Sequence, residues 1–216
     1  AAGGVRAGPR SAGRGPGRPP GPPPMRIVGG DWRGRPLAAP GAKGGGAAAL
    51  RPTSDRLREA IFNRLAHGGF ADPPPPEGRR VLDLFAGAGA LGFEALSRGA
   101  ARVQFVDDLP AARALIRESA ETLGAAGAIK LYRRDATRLG ACRGAPWDLV
   151  FLDPPYRRGL GEAALASALE GGWIAAGALV VWEEAADAAL APPEGLETLH
   201  RRAAGETAVT ILRAEG

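Results

Sequence analysis

From residue 79 onward the chain switches between two hydrophobic periodicities. Short apolar runs bounded by turn formers predict buried strands near 80–84, 102–106, 128–132, 148–152 and 178–182. Between them, helical spacing of apolar residues predicts helices near 90–98, 110–123 and 162–170. Regular alternation of strand and helix predicts a parallel, doubly wound α/β sheet. The end of the chain departs from this rhythm. Residues 196–202 and 206–213 read as two strands around Ala203-Ala204-Gly205, an antiparallel hairpin closing the sheet. Five parallel strands plus a hairpin differ from the two similar halves of a dinucleotide-binding dehydrogenase.

Upstream, residues 72–78 carry four consecutive prolines and read as a linker. Before it, Thr53 or Ser54 can cap a helix whose apolar face is Leu57, Ile61, Phe62 and Leu65. Arg51, Arg56 and Arg58 gather near its start, where cations are unfavourable, which hints at an anionic ligand. Residues 25–37 read as two short strands around a glycine turn; Arg26, Arg33 and Arg35 beside Trp32 suit phosphate contacts and base stacking. Residues 41–50 read as a flexible glycine-rich loop. Residues 1–24 are Gly, Pro, Ala and Arg almost throughout and are expected to be disordered, with Met25 as the functional start. The expected organisation is therefore a tail (1–24), a nucleic-acid-binding hairpin and helix (25–72) and a catalytic domain (79–216).

Charge sharpens this division. The first 24 residues hold four Arg and no acid, residues 25–59 hold seven basic and three acidic residues, and the remainder is net negative. A basic front on a mildly acidic body points to a polyanion partner. One cysteine, Cys142, excludes a disulfide framework and a thiolate metal cluster, and His67 and His200 show no ligand spacing, so no metal is expected. No apolar run is long enough to span a bilayer, and no secretory segment opens the chain. A cytoplasmic, soluble monomer with no membrane partner is expected.

Two stretches carry the chemistry. Residues 81–92 run from a buried strand through a glycine turn into a helix, with Gly87 and Gly89 allowing close backbone approach to a ligand. Asp83 ends that strand and suits a cofactor bearing an ammonium, whereas it would repel a pyrophosphate. Asp107 and Asp108 end the next strand, where a ribose-binding carboxylate belongs. Asp135 follows the third strand, positioned to accept from an adenine amino group. Phe85 and Ala136 complete the candidate cofactor cradle. The second stretch, 147–156, ends a buried strand in Asp153-Pro154-Pro155-Tyr156: a carboxylate, rigid carbonyls and an aromatic ring at the ligand-binding edge of the sheet. That set suits a planar group carrying an amino substituent. Arg157 and Arg158 follow as candidate phosphate contacts.

Taken together, the chain resembles the bacterial small-subunit ribosomal RNA guanine-N2-methyltransferases of the RsmD type over 25–213. The resemblance rests on RIVGGDWRGRPL (26–37), RPTSDRLREAIFN (51–63), DLFAGAGALGFEALSRGA (83–100) and DLVFLDPPYRRG (148–159). It implies a class I S-adenosylmethionine-dependent methyltransferase fold, S-adenosyl-L-methionine as cofactor, and 16S rRNA or the small ribosomal subunit as partner. The target it implies is a guanine amine. Asp153 and the Pro154 carbonyl would then accept the amine's two N–H bonds, with Tyr156 stacking on the base. The chain departs from the family in the expanded 41–50 loop, in the extra 1–24, and in Leu109-Pro110 where a further acid is common. Either Asp107 or Asp108 is thus expected to hold the ribose. The alternatives are methylation of DNA adenine-N6 or another amide-like nitrogen, and a non-catalytic RNA-binding assembly protein.

Overall fold

The apolar strand runs assemble into one seven-stranded sheet. The computed structural model describes residues 25–39 and 53–216; the expectations for 1–24, for 41–50 and for Arg51 lie outside the described residues. The strands are β1 (Arg80–Leu84), β2 (Arg102–Val106), β3 (Ile129–Tyr132), β4 (Trp147–Leu152), β5 (Ile174–Ala185), β6 (Leu196–Ala204) and β7 (Thr207–Ala214). Their order is β3-β2-β1-β4-β5-β7-β6. The first five pair in parallel, and β7 runs antiparallel to both β5 and β6. The doubly wound α/β sheet with a closing hairpin is therefore the fold observed. One strand is much longer than expected: β5 covers twelve residues, pairing β4 at Ile174 and from Leu179 to Trp182, and β7 from Leu179 to Ala185.

Four α-helices accompany the sheet among the described residues: α1 (Asp55–His67), α2 (Ala90–Ser97), α3 (Pro110–Leu123) and α4 (Leu160–Glu170). Strand side chains alternate faces, so each strand feeds two cores. Val81, Val103, Phe105, Leu149, Phe151, Val181 and Ile211 share one core with α1, α2 and α3. Leu82, Leu84, Val150, Leu152, Val180, Trp182 and Leu212 share the other with Ala164, Leu165 and Ala168 of α4. Fully burying side chains of this size stabilises the fold by roughly 1.5–3 kcal/mol each.

This two-sided arrangement places the site. The helix after β1 packs on one face and the helix after β4 on the other, although β1 and β4 are neighbours. Their connections diverge at the carboxyl ends of the two strands and leave a crevice between them.

The N-terminal segment shares the first core. Met25, Ile27 and Leu37 are buried against the same cluster as Ile61, Phe62 and Leu65 of α1. Its two arms meet in an antiparallel bridge, Arg26 with Pro36, supported by the bonds Ile27 N to Arg35 O and Leu37 N to Met25 O. No described helix is long and apolar enough to cross a membrane.

Candidate active site

A cavity of ≈ 820 Å³ opens at the carboxyl ends of β1 and β4. The β1 end enters it as a tight turn. Phe85 has a positive φ of 57°, Gly87 and Gly89 follow at 55° and 79°, and α2 begins at Ala90. A Cβ at Gly89 would stand 2.9 Å from the Phe93 ring, in a left-handed backbone that side chains rarely adopt, so glycine is required there. Two buried carboxylates hold the turn: Asp83 Oδ2 accepts the Gly92 N–H at 2.9 Å, and Asp107 Oδ2 accepts the Gly87 N–H at 2.9 Å.

Asp107 also accepts the Leu109 N–H at 2.8 Å, while the Arg113 guanidinium donates to the Asp107 and Asp108 carbonyls at 3.1 and 2.7 Å. Asp107 is buried and Asp108 exposed, and both line the cavity. Burial pushes the Asp107 carboxyl up, opposed by its two backbone N–H bonds. Burial likewise pushes Asp83 well above the ordinary aspartate value, opposed by the Gly92 N–H and reinforced by the Asp107 charge. Asp135 behaves differently. It is exposed, and its Oδ1 accepts from Thr137 N (2.8 Å) and Thr137 Oγ1 (2.7 Å), which lowers its pKa and caps the short turn Ala136–Arg138. Phe85 and the buried Ala136 line the same cavity.

Across the cavity, β4 ends in Asp153. The carboxylate accepts from the Thr53 hydroxyl at 3.1 Å. Burial first, then the Glu183 charge, pushes the Asp153 carboxyl well above its ordinary value; Asp83 and Glu184 add to the rise and the Thr53 bond opposes it. Tyr156 is half-buried, its hydroxyl donating to Glu183 Oε1 at 2.6 Å and lying 3.1 Å from Thr207 Oγ1. Burial and the Glu183 bond raise the phenol above its ordinary value, so the proton stays on. These two contacts hold the hydroxyl end of the ring. Six acids (Asp83, Asp107, Asp108, Asp135, Asp153 and Glu183) thus line one cavity, an environment that favours a cationic ligand. Among the described residues, no cluster of His, Cys, Asp and Glu could hold a metal ion.

The expected RNA contacts are sorted by the structure. Arg33 and Arg56 are exposed, as is Arg158, which lines the cavity. Arg26 is exposed and pairs with Asp55 at 3.1 Å. Arg35 donates to the Thr122 and Leu123 carbonyls at the end of α3. Trp32 leans on the first core and is only half-buried. Arg157 holds both Asp187 oxygens, at 2.8 and 2.9 Å. Arg58 requires a correction. It is 0% exposed and cannot meet a polyanion. Its guanidinium donates to Thr53 O, Arg26 O and Asp55 Oδ1, and these acceptors, rather than a ligand, explain a cation at the start of α1.

Sequence reasoning missed Thr53 as a cavity residue, together with Glu183 and Thr207. A signal existed for Glu183: it ends the apolar run of β5, beside the strand that carries Asp153. Nothing local marks Thr53 or Thr207, which reach the site from distant parts of the chain. Met25, Leu57 and Arg134 also line the cavity unannounced.

Residues 25–213 match the family described as conserved hypothetical protein 95. The chain is similar to the ribosomal RNA small subunit methyltransferase D of Escherichia coli K12, at 39% identity over 193 residues, covering 88% of this chain and 90% of that protein. The protein of the same name from Haemophilus influenzae is 34% identical over 184 residues, with 84% and 89% covered. Among solved structures, yhhF from Escherichia coli superposes with a TM-score of 0.72 at 34% identity, covering 90% of this chain and 99% of that one. TrmN from Thermus thermophilus gives 0.61 at 27% identity, with 77% and 51% covered.

Proposed function

Because the chain belongs to the conserved hypothetical protein 95 family, that of the small-subunit rRNA methyltransferases D, we propose that it transfers a methyl group from S-adenosylmethionine to the exocyclic N2 of a guanine in 16S ribosomal RNA. The fold is that of a class I methyltransferase. The observation that carries the proposal is one shared cavity. The glycine turn after β1 and the Asp153-Pro154-Pro155-Tyr156 turn after β4 open into it from opposite sides.

The residues present fit the donor. Asp83 would draw its ammonium towards the glycine turn. Asp107 offers the ribose hydroxyls acceptor positions beyond the two its backbone partners use, since a carboxylate has about four. Asp108 lies at the exposed rim of the same cavity, and Asp135 and Ala136, which also line it, would hold the adenine. When bound, this group supplies an electrophilic methyl on a sulfonium.

The chain's own residues do the rest. An exocyclic guanine amine is a poor nucleophile because its lone pair is delocalised into the ring. Asp153 and the Pro154 carbonyl accept its two N–H bonds and turn the lone pair towards the donor side, an orientation effect worth up to ~7–11 kcal/mol in well-aligned systems. Asp153, placed to accept from the amine, would in its ionised form take the proton that the methylated amine must lose, directly or through water. Tyr156, held through its hydroxyl, offers a fixed face on which an extruded base stacks, worth roughly 1–3 kcal/mol.

The test offers labelled S-adenosylmethionine with unmodified small-subunit RNA, assembled small subunits and duplex DNA, followed by nucleoside analysis. Label in N2-methylguanosine is expected, and Asp153→Ala should abolish it while donor binding persists. Label in DNA adenine would replace this reading with the alternative, and an active Asp153→Ala variant would remove the role given to that carboxylate.

A further inference from the structure

The geometry points to Thr53 as a positioning residue: its hydroxyl holds the Asp153 carboxylate in place and ties that carboxylate to the seating of the N-terminal segment. The inference rests on the function proposed above.

Thr53 is 9% exposed and reaches Asp153 Oδ2 at 3.1 Å from a position 100 residues away in sequence. It is not needed to start its own helix. Ser54 is the cap of α1, its Oγ accepting the Leu57 N–H at 3.2 Å. Division of labour between these neighbours leaves the Thr53 hydroxyl directed into the cavity, which both residues line. There it meets a carboxylate in unfavourable company. Glu183, Asp83 and Glu184 all repel a charge on Asp153, whereas the Thr53 hydroxyl favours it. A repelled carboxylate would otherwise lower its energy by rotating or taking up a proton, and either move would spoil an acceptor for a substrate amine.

The Thr53 backbone is fixed in turn. Its carbonyl accepts from Arg58 Nη1 at 2.9 Å, and Arg58 Nη2 donates to the Arg26 carbonyl at 2.6 Å and to Asp55 Oδ1 at 2.7 Å. Asp55 also pairs with the Arg26 side chain at 3.1 Å. The buried Arg58 is therefore a strut between the N-terminal bridge, the start of α1 and Thr53. Arg26 and Asp55, 61% and 44% exposed, form the outer end of this network on the basic front of the molecule. The amine-accepting carboxylate is thus held by the segment that precedes the sheet as well as by β4.

The test compares Thr53→Val, which keeps the shape and removes the hydroxyl, with Thr53→Ser, which keeps the hydroxyl. Thr53→Ala is a second hydroxyl-free variant should valine disturb folding. Rates of methyl transfer are measured across pH, donor binding by calorimetry, and the Asp153 carboxyl by ¹³C NMR titration of the free protein, assigned through Asp153→Asn. Loss of a hydrogen bond to a charged group should lower kcat about tenfold, with KM for RNA and donor affinity within about twofold. Because the hydroxyl favours the ionised carboxylate, its removal should also move the acid limb of the rate profile, and the NMR midpoint, to higher pH. Serine should restore both. Equal behaviour of the valine and serine variants, or a rate loss with an unmoved acid limb, would overturn the inference. Should no RNA accept a methyl group from the parent chain, the proposed function fails separately. The NMR titration still decides the contact: a raised midpoint in the hydroxyl-free variants sustains it, and an unmoved one sinks it.

Discussion

In the function proposed for it, Asp153 sits where chemistry and stability oppose each other. Its carboxyl is pushed well above the ordinary aspartate value by burial and by the neighbouring acids, so the folded protein holds this proton more tightly than the unfolded chain does. Between the ordinary value and the raised one, the native state binds more protons, and stability must fall as pH rises through that window. Asparagine has nearly the same shape, can still accept from Thr53, and carries no charge. Asp153→Asn is therefore expected to melt higher than the parent at neutral pH, with the gain shrinking as pH falls through the raised pKa. Thermal unfolding followed from pH 4 to 8 measures this, and a pH-independent difference would contradict it. Tyr156 illustrates the same scale from the other side. Its aromatic ring was legible beside the diproline, but the Glu183 and Thr207 contacts that hold it were not, since both partners lie in strands that reach the site only in the folded sheet.

At the scale of elements, the N-terminal segment is stitched to α2 and α3 through its backbone. Val28 N donates to Glu94 Oε2 at 2.8 Å, Trp32 N to Ser97 Oγ at 2.9 Å, Asp31 N to the Ser97 carbonyl at 2.8 Å, and Ala38 N to Ser119 Oγ at 2.9 Å. The glycine turn exists for this contact. Gly30 has φ +74°, and a Cβ there would lie 1.9 Å from the Ser97 carbonyl oxygen, a backbone atom that cannot swing aside. Gly30→Ala should cost about 2 kcal/mol or more in denaturant unfolding and strip amide-exchange protection from residues 25–37, because strain and loss of close approach add. Protection retained in that segment would show that the turn is not what seats it. The sequence predicts a basic arm here, and in it the glycines carry the signature of turn formers alone.

Viewed as a whole molecule, the chain presents cations whose availability differs. Arg158 is exposed at the cavity rim, whereas the neighbouring Arg157 already holds Asp187. Each phosphate contact to single-stranded nucleic acid contributes about −0.7 to the slope of log affinity against log salt. Arg158→Ala should make the slope for small-subunit RNA shallower by about that amount, and Arg157→Ala by less. Filter-binding titrations over a range of salt measure both, and equal losses would mean that the Asp187 pair opens when RNA binds.

The sequence by itself determined a mostly parallel sheet closed by a hairpin, the succession of elements along the chain and the two turns at residues 85–89 and 153–156. These are local matters: apolar periodicity decides strand or helix, proline ends a strand, and glycine permits the backbone that residues 87–89 adopt. Only the tertiary structure decided which residues complete the site and which charges face outward. Arg58 reads like Arg56 in a string of letters, yet one is sealed inside a network of carbonyls and the other lies in solvent. Thr53 reads as a possible helix cap, yet it faces a carboxylate 100 residues away. Hydrogen-bond partners and burial are set by which distant segments pack together, and no local pattern encodes that distance.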